Sequence, residues 1–143
     1  MVISQGEVWW ADLPAPLVAS FGRGTGVPPV NGHGQDGRAT AKDITTSAPG
    51  FRRPVVVQGD ALNRSRIATV VCVPLTSNLK WALAPGNVDL PARLTGLPKP
   101  FVANVSLIVS VDKDLLTERV GKLPPSRLEL VLAGIDTVLG RWP

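Results

Sequence analysis

The sequence predicts a mainly β fold: a small, strongly curved barrel or sandwich with one helix packed on it at the C-terminus. Three observations lead there. Short runs of β-branched and aromatic residues are separated by turn residues. The apolar spacing switches to a helical period after Pro124-Pro125. The chain has 143 residues, 44% of them hydrophobic, which suits one domain with a single core.

The first strand is expected over Glu7–Leu13, rich in aromatic and branched residues and stopped by Pro14 and Pro16. From about 17 to 46 the chain is dense in glycine, holds the Pro28-Pro29 pair, and has almost no periodic hydrophobicity. So many flexible residues bury too little apolar area to offset their ordering entropy. This stretch is expected to be a long flexible insert between two strands. Pro54–Gln58 reads as the next strand, with Pro54 at its opening, where a missing N–H costs least. Gly59, Asp60 and Asn63 supply turn chemistry. Ala68–Pro74 is a continuous β-branched run suited to a buried central strand. Asn87–Leu90 alternates polar and apolar residues, as does part of Ala103–Val111.

Beyond that the expected period changes. Asp112 is read as the cap of a short helix reaching about Arg119. Ser126 and Glu129 have capping-box spacing, and Leu128, Val131, Leu132, Ile135, Val138 and Leu139 recur at helical intervals to about Gly140.

Composition narrows the function. The apolar runs, such as Val70–Val73, are far too short to cross a bilayer. Residues 1–7 lack the basic and apolar regions of a signal peptide. One cysteine, Cys72, and one histidine, His33, form neither an internal disulfide nor a metal site. These points favour the cytoplasm, no membrane partner and no metal or cofactor. The net charge of +4 and a pI near 9.8 fit a polyanionic partner, and fit a solvated basic surface equally well.

The usual catalytic sets are absent: no Ser/His/Asp order, no CxxC, no HExxH and no Walker loop. Gly22–Gly26 resembles a phosphate loop only loosely, because no strand precedes it and no helix follows. Two polar clusters remain. Arg52-Arg53 stands at the entry to the second strand, where Pro54 biases residue 53 to an extended backbone. Thr76-Ser77-Asn78 follows the buried central strand. A fixed guanidinium near hydroxyls suits a phosphodiester, binding its non-bridging oxygens and steadying added negative charge. Ordinary strand-end punctuation is the alternative reading. Gln58 and Asn78 are candidates to read base edges, and Lys80, Arg93 and Lys99 to track phosphates. Of the adjacent Trp9 and Trp10, one is expected in a core and the other on the opposite side of the strand, where a tryptophan can stack on a base. Cys72 is expected to be a small buried hydrophobe.

Read in order, these pieces resemble a known family. Gly6–Leu13 (Gly-Glu-Val-Trp-Trp-Ala-Asp-Leu) looks like the opening strand of MazF/PemK toxins. Gly50–Gln58 resembles their second strand, and Thr69–Leu79 the third strand with the segment after it. Pro85–Val88, Val102–Ser106, Val111–Lys113 and Glu118–Gly121 continue the match up to the final helix. The resemblance implies an SH3-like barrel of the CcdB/MazF type, acting as a homodimer. It implies a toxin restrained by an acidic, MazE-like antitoxin. The implied activity is metal-independent cutting of single-stranded RNA or mRNA, in which the ribose 2′-hydroxyl attacks the adjacent phosphate to leave a 2′,3′-cyclic phosphate. By the same resemblance Arg53 matches the catalytic arginine, Thr76 the catalytic threonine, and Ser47 the serine that opens the arginine-proline segment. Arg52, Ser77, Asn78, Gln58 and Lys80 are the expected RNA-binding residues. Ala48 stands where the family has an acidic residue, and the 17–46 insert extends what is a short loop in relatives. The segment from Gly26 to Thr40 looks like a translated dispersed repeat, a passenger rather than a lid. Two rival readings follow from these departures and from the fold: a cleavage-dead homologue that binds RNA or antitoxin, and a gyrase poison of the CcdB kind.

Overall fold

The computed structural model describes residues 2–12 and 51–141. The expected insert at 17–46, Ser47, Ala48, His33 and Trp142 lie outside the described residues. Nine strands and three helices are described: β1 (Glu7–Asp12), β2 (Phe51–Arg52), β3 (Val55–Val56), α1 (Asp60–Asn63), β4 (Thr69–Val73), β5 (Leu75–Thr76), β6 (Val88–Leu90), α2 (Ala92–Thr95), β7 (Phe101–Ala103), β8 (Val109–Asp112), β9 (Leu116–Lys122) and α3 (Pro125–Val138).

β1 is the hub of a six-stranded antiparallel sheet. On one side it pairs with β2 and β3, and on the other with β9; β4 and β8 continue the sheet beyond β3. β2 and β3 share one register on β1, with Ala11 across from Arg52 and Val8 across from Val55. Between them sits Arg53-Pro54, where proline has no N–H to give the ladder. Its carbonyl still accepts from the Trp9 N–H at 3.1 Å. After Pro74 the chain leaves this sheet, and β5 joins a three-stranded sheet in the order β5-β7-β6.

The main sheet is apolar on both faces. Val8, Val55, Val57 and Val73 face the three-stranded sheet and α3, packing with Leu90, Phe101, Ala103 and Val131. Trp9, Val56, Val70, Cys72, Val111 and Leu116 pack on the other face. This explains the uninterrupted run Val70–Val73: alternate residues serve two separate apolar clusters. The two tryptophans divide as expected, Trp9 buried in the second cluster and Trp10 half-buried on the opposite face.

The C-terminal third corrects two expectations. Asp112 caps no helix; a single 3₁₀ turn over Lys113–Leu115 leads straight into β9. Seven residues of β9 run along β1, and Thr117, Glu118 and Arg119 face solvent. That pairing overrides the helical tendency of the segment. Nor do Ser126 and Glu129 form a capping box: α3 begins at Pro125, with Pro124 at the cap position and no side-chain cap. Proline at the first helical position is pre-shaped for the turn and loses no bond there.

Two buried or tied polar groups lead to predictions. Asp60 opens α1 and accepts from the Gln5 N–H at 2.7 Å and from Asn63 Nδ2 at 3.1 Å. The Gln5 amide, then Asn63, hold its carboxyl below the ordinary value. A lowered folded-state pKa adds stability above the unfolded-state pKa, and that stability is lost as pH falls through the folded one. Asp60→Asn is therefore expected to flatten the acid limb of a pH–stability curve, measured by denaturant midpoints; an unchanged limb would refute the assignment. Cys72 is fully buried, and desolvation pushes its thiol up to about 12. It should stay unreactive to iodoacetamide in the native protein and be alkylated rapidly once denatured.

Candidate nucleic-acid interface

Arg53 is 4% exposed, an unusual depth for a guanidinium. Its position follows from the strand pairing. The register that sets Ala11 against Arg52 and Val8 against Val55 puts Trp10 across from Arg53. The guanidinium carbon lies 5.4 Å from the centre of the Trp10 ring and 4.7 Å from that of Phe101 on β7. Aromatic faces carry negative quadrupole density and attract a cation without neutralising it. Arginine tolerates such burial better than lysine because it is weakly hydrated and stays protonated. The guanidinium of Arg53 therefore sits at the edge of the first core, against Trp10 and Phe101.

Thr76 is the last residue of β5 and lies across from Val102, the neighbour of Phe101. Alternation along β5 sends Leu75 into the core and Thr76 to the other face of that sheet, half-exposed. Its Oγ1 accepts from the Asn78 N–H at 3.2 Å. Asn78 in turn caps a 3₁₀ turn over Leu79–Leu83, its Oδ1 accepting from the Lys80 N–H at 3.3 Å. Lys80 is exposed, with Nζ 5.7 Å over the half-buried Trp81 ring. Asn87 ties this turn to the end of β7: its Nδ2 donates to the Trp81 carbonyl at 3.0 Å and its Oδ1 accepts from the Val105 N–H at 3.0 Å. Thr76, Ser77, Asn78 and Lys80 thus form one solvent-facing segment, and Arg53 lies on the core side of the sheet from which it springs.

Gln58 belongs elsewhere. It is buried, its Nε2 donates to Asn63 Oδ1 and to the Thr69 carbonyl, and its Oε1 accepts from the Val71 N–H. Its amide holds α1 against β4 and is not presented to a base, which corrects the expected RNA-reading role. Arg52 lies on β2, with its side chain outside the described set, and Ser47 lies wholly outside it. Arg93 and Lys99 are exposed on the segment between β6 and β7.

Two features escaped the sequence reading. Phe101 is a 1% exposed ring whose part in the stack depends on how the second sheet folds back. Glu7 is buried and accepts from the Ser4 N–H at 2.8 Å, Trp9 Nε1 at 3.0 Å and Arg119 Nε at 2.8 Å. It locks β9 to β1, and its only sequence signal is an acid beside two tryptophans.

A family model described as PemK-like, MazF-like toxin of type II toxin-antitoxin system matches residues 4–139. The chain is 40% identical over 140 residues to Endoribonuclease MazF6 of Mycobacterium tuberculosis, covering 97% of this chain and 98% of that protein. It is 24% identical over 131 residues to Endoribonuclease EndoA of Bacillus subtilis, covering 92% of this chain and 89% of that one. Among solved structures, an endoribonuclease in complex with its cognate antitoxin from a mycobacterial species matches with a TM-score of 0.64 at 21% identity, covering 99% and 100% of the two chains. A MazE-MazF structure from Deinococcus radiodurans matches at 0.62 and 20%, covering 98% and 97%. At these identities the structures speak for the fold alone: the mainly β architecture with a C-terminal helix is that of MazF toxins. The chain belongs to the PemK-like, MazF-like toxin family of type II toxin-antitoxin systems.

Proposed function

We propose that this protein cuts single-stranded RNA as the toxin of a type II pair, without a metal ion. The observation that supports the chemistry is the buried guanidinium of Arg53 between Trp10 and Phe101. In the proposed reaction the ribose 2′-oxygen bonds to the adjacent phosphorus and the bond from phosphorus to the 5′-oxygen breaks. The proton lost by the 2′-hydroxyl is balanced by one gained at the 5′-oxygen. The products are a 2′,3′-cyclic phosphate and a free 5′-hydroxyl. Arg53 stabilises the negative charge gathered on the phosphorane; being permanently protonated, it serves better as a fixed charge than as a proton carrier.

Thr76, at the end of β5, is proposed to contribute a hydroxyl contact to the same phosphate. Ser47 is proposed to complete the site. Arg52, Ser77, Asn78 and Lys80 track the RNA backbone and bases beside it. The working form is a cytoplasmic homodimer, and an acidic MazE-like antitoxin occupies the RNA surface. Charge complementarity to this basic chain supports that partner. Among the described residues no helix is long and apolar enough to cross a membrane.

The test is incubation of the purified protein with single-stranded RNA in excess chelator. The expected result is fragments ending in cyclic phosphate. Binding without cleavage would overturn the nuclease reading in favour of a cleavage-dead homologue, the reading that Ala48 favours.

A further inference from the structure

The turn that follows Thr76 carries more apolar surface than a connection needs. Over Leu79–Leu83 the chain reads Leu-Lys-Trp-Ala-Leu, and none of these residues is buried. Leu79 is 49% exposed and Leu83 is 92% exposed, one on each side in sequence of the half-buried Trp81. Single exposed leucines are ordinary, but two of them flanking an indole concentrate apolar area on one short turn. The backbone of the tryptophan is held. Its N–H donates to the Asn78 carbonyl at 3.2 Å, and its carbonyl accepts from the Ala84 N–H at 3.1 Å and from Asn87 Nδ2 at 3.0 Å. Asn87 is itself anchored, accepting from the Val105 N–H at 3.0 Å. Lys80 is exposed, with Nζ 5.7 Å from the centre of the Trp81 ring. The turn therefore presents part of an indole to solvent, sets a cation beside it, and fixes its backbone before any ligand arrives.

We propose that Trp81 stacks on a nucleobase of the single-stranded RNA beside Thr76, with Lys80 meeting the phosphate next to that base. The inference rests on the proposed nuclease reading and deepens it by adding a residue, and a stacking contact, that the reading does not contain. Every base has a π-face, so a ring grips a single strand with little regard to sequence, and basic residues placed among aromatic ones follow its backbone. Trp81 lies five residues after Thr76, at most about 18 Å of chain, and the turn shortens that reach. A base a few nucleotides from a phosphate at Thr76 is within range of the ring. RNA is favoured over a protein as the occupant because the turn is continuous with the polar segment: the Asn78 N–H donates to Thr76 Oγ1 and the Lys80 N–H to Asn78 Oδ1, so ring, cation and hydroxyl belong to one tied stretch. A backbone already held loses little further freedom on binding, which leaves more of the stacking energy as affinity. The ring takes no part at the reacting atoms, so its removal should weaken binding and spare the chemical step.

The experiment measures the affinity of the wild type, Trp81→Leu and Trp81→Phe for a short labelled RNA made uncleavable by deoxyribose at the cut position, and for a set of the same RNA lacking one base at a time. Leucine keeps apolar bulk and loses the ring; phenylalanine keeps a ring. Trp81→Leu is expected to raise Kd about tenfold, within the range for one stacked base, and Trp81→Phe by less than about threefold. On the cleavable RNA, kcat should change by less than about twofold in either variant. The deciding readout is the abasic set. At one position the missing base should weaken binding to the wild type about tenfold and to Trp81→Leu hardly at all, a non-additivity that mere loosening of the turn would not produce. Trp81 is half-buried, so the folded fraction is checked by circular dichroism. If Trp81→Leu fails to fold, Trp81→Phe carries the same comparison, with a smaller but still reduced penalty at that position. Additive losses at every position would overturn the inference and make Trp81 a support for the turn. Unchanged RNA affinity in Trp81→Leu would also overturn it, and would mark the turn as a protein-contact surface. A wild type that binds the unmodified RNA without cutting it would overturn the nuclease reading alone, because the abasic comparison then runs on that RNA. A wild type that binds no RNA would remove both.

Discussion

Arg53→Ala is expected to lower RNA cleavage by roughly a hundred- to a thousandfold, the usual cost of removing one preorganised contact to a transition-state oxyanion, about 2.7–4 kcal/mol. The reason is dielectric as much as geometric. At 4% exposure the guanidinium is largely stripped of water, so its field at a nearby phosphate is screened far less than that of a surface lysine. Its charge does not depend on pH in the working range. Alanine removes the charge and opens a gap between Trp10 and Phe101, so part of any loss could come from repacking around the two rings. Arg53→Lys separates the two effects. Lysine keeps a positive charge and an apolar stem but offers a point charge with no fork and no plane. It should keep the fold with a melting temperature above that of Arg53→Ala but below the wild type, because the ammonium is more costly to bury, and under folded conditions still bind RNA and cut at least tenfold more slowly, since the planar, two-point contact is what the lysine lacks. Cleavage rates for both variants, set beside their melting curves and their affinity for an uncleavable 2′-deoxy substrate, decide the matter. Wild-type cutting by Arg53→Ala would end the proposed role.

What could be read in advance and what could not divide along physical lines. Local signals were reliable where one element dictates them. Val70–Val73 announced a strand buried on both faces, and the spacing from Leu128 to Leu139 announced α3. Arg53 stood out as a candidate because the following proline restricts its backbone. The failures fall where tertiary pairing decides. Leu116–Lys122 contains Thr, Glu, Arg and Lys and buries only Leu116 completely, so nothing in its pattern marks a strand; it becomes one because the edge of β1 needs a partner. Ser126 has the right spacing to Glu129 for a cap, but the Pro124-Pro125 pair starts the helix earlier and leaves Ser126 inside it. Gln58 looks like any polar residue at a strand end. Only the return of the chain at Asn63 and Val71 shows that its amide is fully engaged. Phe101 could not be linked to Arg53 from sequence, since the link runs through two sheets that meet only in the folded chain.

Gly134→Ala is expected to destabilise the fold by about 2 kcal/mol, although alanine is the better helix former. In isolation the change would favour α3 by roughly 1 kcal/mol. Here Gly134 is buried where the helix meets the loop before β6, and a Cβ on it would run into the carbonyl oxygen of Gly86. Gly86 cannot retreat easily. It has a φ of +84°, and a Cβ on it would lie 2.9 Å from the Gly134 carbonyl oxygen and 3.0 Å from Val105 Cγ2. The contact is backbone against backbone, so no rotamer change relieves it and either α3 or the loop must move. Overpacking of this kind costs typically 1–3 kcal/mol, and a rigid neighbour on both sides puts this site at the upper end. The loss reaches the proposed RNA-binding segment as well. The Gly86 loop runs directly into Asn87, whose side chain fixes the turn bearing Lys80 and Trp81, so a displaced helix also loosens the segment that follows Thr76. The control is Ala133→Gly on the exposed neighbouring position, which should cost only the helix-propensity difference, about 1 kcal/mol. Denaturant midpoints for the two variants separate the effects. If Gly134→Ala proves as stable as the wild type or more so, the helix has room to shift, and the Gly86–Gly134 contact is not what seats α3 on the barrel.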